Sequence, residues 1–204
     1  MDALTLKTFV LGDLATNSYL LFDPNTKKAF LIDVPCPNDE IEQFISAEGL
    51  SLDFCLLTHA HFDHIGAVDK LNCPVYLHSE DTPFLKNPDL NGSSIFGVPF
   101  TIAKDPVLLE ETAITLDSFC FEILHTPGHT PGSISIKIGK WLFSGDTVFF
   151  DSVGRTDLPL ASHEQLIASI KTKILTLSDD TVIYPGHGPA TSVEREKTHN
   201  PFLS

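Results

Sequence analysis

Short apolar runs separated by turn-forming residues dominate the hydrophobic pattern of this chain. Over Ile134–Ile138 apolar and polar residues alternate, so three isoleucines share one face of a predicted strand. Other runs, such as Phe54–Leu57, are apolar throughout, which is typical of strands covered on both faces. The pattern predicts strands over Leu4–Leu11, Tyr19–Phe22, Ala29–Ile32, Phe54–Leu57, Val75–Leu77, Phe119–Leu124, Ile134–Ile138, Trp141–Phe143 and Thr181–Tyr184.

Helix signals lie between these strands. The capping residues are Asn38 and Gly49 at the two ends of a first helix, Ser162 with Gln165 at the start of a second, and Thr191 with Glu194 at the start of a third. Strands and helices alternate, and some strands form hairpin-like pairs. This order is typical of a mixed α/β protein whose sheets are covered by helices. We expect one domain over residues 1–204.

Charge and hydropathy exclude some classes of function. The chain has 13 basic and 27 acidic side chains, a formal net charge of −14. Such a surface repels phosphate backbones, so we expect no nucleic-acid partner. No apolar run reaches the roughly 18 residues of a membrane span, and the N-terminus lacks the features of a secretory signal. We therefore expect a cytoplasmic protein that does not contact a membrane.

The spacing of the cysteines is consistent with a cytoplasmic location. None of the four forms a Cys-x-x-Cys pair, and disulfides are unusual in a reducing compartment. Cys55 and Cys120 lie within apolar runs, so we expect both to be small core residues.

Four stretches place histidine or aspartate directly after a predicted strand. These are His59-Ala-His61-Phe-Asp63-His64, Gly128-His129, Gly145-Asp146 and Gly186-His187. Because residues two apart in an extended segment point the same way, His59 and His61 can bind one ion together. Asp63 and His64 follow at a predicted helix start and face a neighbouring point. The pattern therefore predicts two adjacent metal ions.

The order of these stretches resembles the metal motif of the metallo-β-lactamase superfamily, and the resemblance covers essentially the whole chain. It implies a four-layer αβ/βα sandwich with the metals at one edge, between two sheets. It also implies a ligand set: His59, His61 and His129 for the first metal, Asp63, His64 and His187 for the second, and Asp146 as a bridge between both.

The ligand types indicate the metal and its chemistry. Imidazole and carboxylate ligands without thiolate suit Zn²⁺, Fe or Mn, so we expect two divalent ions, with Zn²⁺ as the first choice. Two ions about 3.5–4 Å apart can share a water molecule and lower its pKa toward about 7. Asp63 is the expected catalytic base, which orients the resulting hydroxide and takes its proton. The sequence thus predicts a metal-dependent hydrolase.

One branch of the superfamily matches the region after Asp146. Gly154–Asp157 and Glu196–Leu203 are similar to the short glyoxalase II-like enzymes, which hydrolyse thioesters such as S-lactoylglutathione. The resemblance implies a thioesterase that acts on a small-molecule, S-acylglutathione-like substrate. The chain stops before the basic C-terminal segment that holds glutathione in the longer enzymes. The Asp33–Cys36 turn also differs from their usual Asp-Pro-Gly.

Other functions fit parts of the same pattern. Persulfide dioxygenases, a related branch, use one iron at the positions matching His59, His129 and Asp146. A nuclease of the same fold is disfavoured by the net charge of −14. A non-catalytic binding module is disfavoured because every ligand position is filled. Flavodiiron-type oxygen reductases carry an acidic residue at the position of His61.

Two polar residues near the predicted ligands have two interpretations each. The Arg155 guanidinium could hold a substrate carboxylate, or it could pair with Asp157 or Asp151 to stabilise its loop. Tyr184 could donate a hydrogen bond to the substrate or pack in the core. We retain both residues as candidate substrate contacts.

Further expectations concern the surroundings of the site. Either Phe149 or Phe150 should line the cleft, since both follow Asp146 closely. The segment Asn87–Ala103, which contains several glycine and proline residues, is predicted to be a loop that covers the site. His125 should end a strand and form a local hydrogen bond. The remaining histidines, His78, His163 and His199, are predicted to have surface or packing roles.

Overall fold

The computed structural model of the chain describes residues 4–116 and 119–203. Its strands are β1 (Thr5–Leu11), β2 (Thr16–Phe22), β3 (Lys28–Ile32), β4 (Ser51–Leu56), β5 (Val75–His78), β6 (Val107–Leu109), β7 (Thr112–Leu116), β8 (Phe119–His125), β9 (Ile134–Ile138), β10 (Trp141–Gly145), β11 (Val148–Phe149), β12 (Ser152–Val153), β13 (Val182–Pro185) and β14 (Thr191–Ser192). Its α-helices are α1 (Asp39–Glu48), α2 (Phe62–Ile65), α3 (Thr82–Lys86), α4 (His163–Ser169) and α5 (Val193–His199), and a π-helical turn over Ile170–Ile174 extends α4.

The strands form two six-stranded sheets and one small hairpin, β11–β12. The first sheet has the order β1-β2-β3-β4-β5-β6, antiparallel from β1 to β3 and parallel from β3 to β6. The second sheet has the order β14-β13-β10-β9-β8-β7, in which β10 and β13 are parallel and the other pairs are antiparallel.

The alternation of side chains along each strand produces four layers. In β3, Phe30 belongs to the core between the two sheets, and its neighbour Leu31 belongs to the core beneath α1, α2 and α3. In β10, Phe143 faces the first sheet, and Leu142 packs against α4 and α5. The layers are therefore helix, sheet, sheet and helix, which confirms the predicted αβ/βα sandwich.

All nine predicted strands are present, and five further strands were missed. The missed strands β6 and β7 are the outermost strands of their sheets, and β11, β12 and β14 have two residues each. In β6, Val107 and Leu108 are exposed, so burial does not impose a periodic pattern on this edge.

The start of β2 was also missed, because it is polar and yet buried. Thr16 donates to Asp63 Oδ2, and Ser18 donates to the backbone oxygen of Asp33. Asn17 donates to the backbone oxygens of Pro185, the last residue of β13, and Gly188. Each of these polar side chains can be buried because it has a hydrogen-bond partner on or next to a loop that carries a predicted ligand. Partners so distant along the chain leave no periodic signal in the sequence.

Two of the three predicted helix caps are confirmed. Asn38 Oδ1 accepts a hydrogen bond from the backbone of α1, and Gly49 ends that helix with a φ of +64°. Ser162 caps α4 as expected. The prediction for α5 was wrong by one residue, because Thr191 pairs with β13 and its hydroxyl donates to buried Glu196, so Ser192 is the cap.

One of the two cysteine predictions was wrong. Cys55 is buried, but Cys120 is exposed. In β8 the inward positions belong to Phe119 and Phe121, and the period of two places Cys120 on the outer face. All four cysteines are free thiols. No helix in the described ranges is long and apolar enough to cross a membrane.

Phe30 offers a test of the core between the sheets. Its ring is fully buried, stacks on Phe54 at 5.0 Å, and meets the rings of Phe119 and Phe121 edge-on at 4.8 and 5.1 Å. Phe30→Ala should lower the free energy of unfolding by about 3–5 kcal/mol, measured by urea denaturation. The control Phe202→Ala, at a residue 52% exposed, should change it by less than about 0.5 kcal/mol. Equal losses in both variants would contradict the assignment of this core.

Candidate metal centre

The predicted ligands leave the ends of strands in both sheets. His59 and His61 follow β4, and Asp63 and His64 lie in the short helix α2 that comes next; His129 follows β8, Asp146 follows β10 and His187 follows β13. The structure brings these loops together into three overlapping groups of ligand atoms, and within each group all the atoms lie within 4.8 Å of one another.

The first group consists of His59, His61 and His129, all buried. His61 Nδ1 lies 2.8 Å from His129 Nε2, and the His59 ring meets the other two edge-on with centroids 4.9 and 4.8 Å away. Burial lowers the pKa of all three imidazoles, that of His61 to about 3. They are therefore neutral at pH 7, which is the form of imidazole that binds a metal ion.

A second group consists of Asp63, His64 and His187. Asp63 Oδ2 lies 3.2 Å from His187 Nε2 and 3.6 Å from His64 Nε2. Burial by itself would lower the pKa of these two imidazoles, but nearby carboxylates outweigh it. Asp63, Asp33 and Asp146 raise the pKa of His64, and Asp146 and Asp63 raise that of His187 to about 10. This half of the site thus attracts positive charge.

Asp146 lies between the two groups. Its Oδ1 is 3.4 Å from His64 Nε2, and its Oδ2 is 3.6 Å from His129 Nε2 and 3.5 Å from His187 Nε2. Burial favours the protonated acid, but the adjacent imidazoles, His64 foremost, hold the pKa of this carboxyl well below its usual range. A carboxylate that lies beside imidazoles of both groups is suited to bridge two ions.

Buried atoms without partners provide a test of whether these residues fit metal ions. Five buried side-chain N and O atoms in the described residues have no hydrogen-bond partner, and four of them belong to this cluster: His59 Nε2, His61 Nε2, His64 Nε2 and Asp146 Oδ1. Leaving such an atom unpaired costs about 1–3 kcal/mol. Coordinated cations would satisfy these atoms, and the N and O donor set suits Zn²⁺, Fe or Mn.

Outer contacts orient the imidazoles. Asp33 accepts hydrogen bonds of 2.8 Å from His64 Nδ1, from the Thr58 backbone and from the Thr58 hydroxyl. His129 Nδ1 donates to the backbone oxygen of Arg155, and His187 Nδ1 donates to that of Leu14. With these nitrogens engaged, the Nε2 atoms face the centre of the cluster.

Asp33 was not predicted as part of the site, although a signal was present. It directly follows the buried strand β3, as Asp146 follows β10, and its φ of +57° is unusual for a residue other than glycine. Position after a buried strand is the same criterion that identified Asp146.

Asp81 is a second functional residue that the sequence did not reveal. Its buried carboxylate accepts hydrogen bonds from Ala60 N at 2.9 Å, Thr130 Oγ1 at 2.8 Å and Gly132 N at 2.7 Å. It thereby joins the loop of His59 and His61 to the loop of His129. Burial outweighs these hydrogen bonds and raises the pKa of Asp81 to about 6. An acidic residue at a helix start is ordinary, so nothing in the sequence marks this one.

Gly186 shows why glycine is required beside a ligand. A Cβ atom at this position would lie 2.1 Å from Asp146 Oδ1 and 2.8 Å from His64 Cε1. Any larger residue would therefore displace the cluster, which agrees with the expectation that glycine lets the backbone approach the ions closely.

A cleft of about 560 Å³ opens onto the cluster. Phe149 lines it, as expected for one of the two phenylalanines, whereas Phe150 packs against the Arg195 guanidinium at 4.0 Å. The predicted covering segment contributes Asn91, Gly92 and Phe96 to the wall.

The two candidate substrate contacts have different positions. Arg155 lines the cleft, and its guanidinium donates two hydrogen bonds of 2.7 Å to Asp157, the structural pairing foreseen from the sequence. Tyr184 packs against Tyr19 and Phe143 in the core between the sheets and is not among the residues that line the cleft. Its position therefore supports packing rather than substrate binding.

The histidines outside the cluster behave as local structural residues. His125 ends β8, and its Nε2 lies 2.8 Å from the backbone oxygen of Pro131, as predicted. His78 stacks on His125 with ring centroids 4.1 Å apart. His163 lies exposed in the first turn of α4.

Comparison with known proteins gives consistent matches. Residues 11–187 match the family model described as the Metallo-beta-lactamase superfamily. The chain is 39% identical to the probable metallo-hydrolase YqgX of Bacillus subtilis over 95% of each chain. It is also 39% identical to the hydroxyacylglutathione hydrolase GloC of Haemophilus influenzae over 92% of each chain.

Solved structures match equally well. The crystal structure of the BLEG-1 B3 metallo-beta-lactamase superimposes with a TM-score of 0.93 at 44% identity, covering 98% of this chain and 100% of that one. The structure of TTHA1623 in a di-iron-bound form superimposes with a TM-score of 0.86 at 38% identity, covering 97% and 100%.

Asp81→Ala tests whether this carboxylate positions the metal ligands. The substitution leaves three donors on two ligand loops without their common acceptor, so affinity for Zn²⁺ should fall about 10–100-fold. Competition with a chromophoric chelator measures this affinity, and circular dichroism checks that the variant is folded. Asp89→Ala, at an exposed aspartate eight residues further on, is the control and should bind Zn²⁺ as the parent does. An unchanged affinity in a folded Asp81→Ala variant would show that the carboxylate has no such role.

Proposed function

The chain belongs to the metallo-β-lactamase superfamily of metallo-hydrolases, and we propose that it is a two-metal thioesterase of the glyoxalase II type that hydrolyses S-acylglutathione-like thioesters. The observation that carries the proposal is the convergence of all seven predicted ligands beside one cleft, with buried donor atoms that have no other partner. The 39% identity to a hydroxyacylglutathione hydrolase supports the thioester substrate.

We assign the ligands as two sets that share one residue. His59, His61 and His129 would hold one divalent ion; Asp63, His64 and His187 would hold the other; Asp146 would contact both. The grouping of the ligand atoms and the position of Asp146 between the groups support this assignment. Zn²⁺ is the first choice from the donor set, and the di-iron form of a 38% identical protein supports iron as the alternative.

Ions held in this way would lower the pKa of a shared water molecule toward about 7 and polarise the thioester carbonyl. Asp63 is placed to act on that water, because it lines the cleft and its Oδ2 accepts a hydrogen bond of 3.1 Å from Thr16. We propose that Asp63 orients the water for attack on the carbonyl carbon and takes its proton. When the C–S bond then breaks, the thiolate leaves and the proton held by Asp63 can pass to it. The apolar side chains of Phe62 and Phe149 beside the cluster keep bulk water away from the reacting thioester.

The cellular location and the domain organisation of the protein are part of the same proposal. The free state of all four cysteines fits a reducing compartment, and we propose a cytoplasmic enzyme formed by one domain over residues 1–204. The net charge of −14 favours a small-molecule substrate over a nucleic acid.

Substitution of ligands tests the hydrolase assignment. His61→Ala and Asp146→Asn should each lower kcat/KM for S-lactoylglutathione by more than about 100-fold, which exceeds the usual effect of changing an outer contact. Circular dichroism should show a folded protein in both cases. His163→Ala, at an exposed histidine outside the cluster, is the matched control and should keep full activity. Parent-like activity in both ligand variants would reject the assignment.

Metal removal tests the two-ion centre. Dialysis against a chelator should abolish activity, and Zn²⁺ or Fe²⁺ should restore it. Elemental analysis of freshly purified protein should find about two metal ions per chain. One iron per chain, together with O₂ uptake on glutathione persulfide and no thioester hydrolysis, would instead support the persulfide dioxygenase.

A further inference from the structure

Most of the cleft around the metal centre is apolar. Apart from the ligands, its lining consists of the apolar residues Leu14, Phe62, Phe96, Phe149, Val153 and Leu158 and of Asn91, Gly92, Ser152 and Arg155. An apolar cleft with few polar groups is typical of a site that recognises its ligand by burial of apolar surface.

An aromatic wall begins beside the ligands and runs outward. Phe62 lies in the chain between His61 and Asp63, and its ring packs against that of Phe96 with centroids 4.7 Å apart. Phe96 is 46% exposed. The wall thus connects the metal centre to the mouth of the cleft, so that a chain attached to the reacting carbonyl can lie along it.

Exposed apolar side chains lie in and near the cleft lining. Leu14 lines the cleft and is 39% exposed, and Ile95 and Val98, which lie in the same segment of the chain as Phe96, are also exposed. Large apolar side chains left exposed beside a cleft indicate a surface that a ligand covers. The aromatic wall of Phe62 and Phe96, together with Leu14, is called the apolar wall below.

Charged groups in the cleft are poorly suited to glutathione. Among the described residues that line it, Arg155 is the one lysine or arginine, and its guanidinium already makes a bidentate pair with Asp157. A thiol that carries two carboxylates would have to displace Asp157 and to approach a chain of net charge −14. The cleft therefore offers little electrostatic recognition of a charged thiol group in the substrate.

We propose that this enzyme selects thioesters by an apolar acyl chain that packs along the apolar wall, and that it gains little from a charged thiol. This inference rests on the proposed thioesterase activity; it narrows the acyl part of the substrate and replaces the S-acylglutathione-like preference by one that does not depend on the thiol. The expected substrates are thioesters of medium-length fatty acyl groups, with Leu14, Phe62 and Phe96 as the residues that determine specificity.

An acyl series tests the proposal. The Zn²⁺-loaded enzyme is assayed with acetyl, butanoyl, hexanoyl and octanoyl thioesters of N-acetylcysteamine, a neutral thiol. We expect kcat/KM to rise about fourfold per added methylene until the wall is covered. The same acyl groups on glutathione should give kcat/KM values no higher than those on N-acetylcysteamine.

A matched pair of variants locates the effect. Phe96→Ser should lower kcat/KM for the octanoyl ester about tenfold, the lower end of what burial of a phenylalanine contributes, and should lower it much less for the acetyl ester, which buries little of the wall. Phe150→Ser is the control, because Phe150 is similarly exposed at 40% but packs on Arg195 outside the cleft lining. It should change neither ester.

The outcomes separate this inference from the proposed function. Absence of hydrolysis with every thioester would refute the thioesterase itself. Hydrolysis that is independent of acyl length, that is faster with the glutathione esters than with the N-acetylcysteamine esters, or that prefers S-lactoylglutathione would leave the thioesterase intact and overturn the apolar-wall proposal. Equal effects of Phe96→Ser and Phe150→Ser would also overturn it.

Discussion

The structure depends on keeping imidazoles and carboxylates together out of water where loops from two sheets meet. Burial of an unpaired charge is costly, and here Asp33, Asp63 and Asp146 are held beside histidines that reduce the cost. The unpaired nitrogens of His59 and His61 show that these contacts do not satisfy every buried group. Bound cations would complete the arrangement, so metal binding and local stability are expected to depend on each other.

The two-sheet architecture makes this arrangement rigid. The ligand-bearing loops follow strands that are hydrogen-bonded within their sheets, and the aromatic core between the sheets holds those sheets face to face. Asp33 then links the end of β3 to His64. Asp81 links the loop of His59 and His61 to the loop of His129 through three hydrogen bonds. A site supported in this way can keep its geometry while a substrate binds and leaves.

The cleft separates two tasks among different residues. In the proposed enzyme the ligand cluster would supply reactivity, and its residues are polar and tightly constrained. The apolar residues that line the cleft, among them Leu14 and Leu158, shape the space in front of the ligand cluster and contribute no ligand atom. Because one fold can host many different activities, we expect such lining residues, rather than the fold itself, to select the substrate.

The sequence by itself indicated a mixed α/β protein and, through the resemblance carried by its ordered histidine and aspartate stretches, the four layers and the candidate ligand set. Period-two alternation in strands such as Ile134–Ile138 and the ordered stretches from His59 to His187 are local patterns, so they can be recognised without knowing what they contact. Tertiary structure alone decided the role of Asp81, the exposure of Cys120, the cap at Ser192 and the packing of Tyr184. In each case the outcome depends on a partner or a sheet face that is distant along the chain, and contacts of that kind arise only when the two sheets come together.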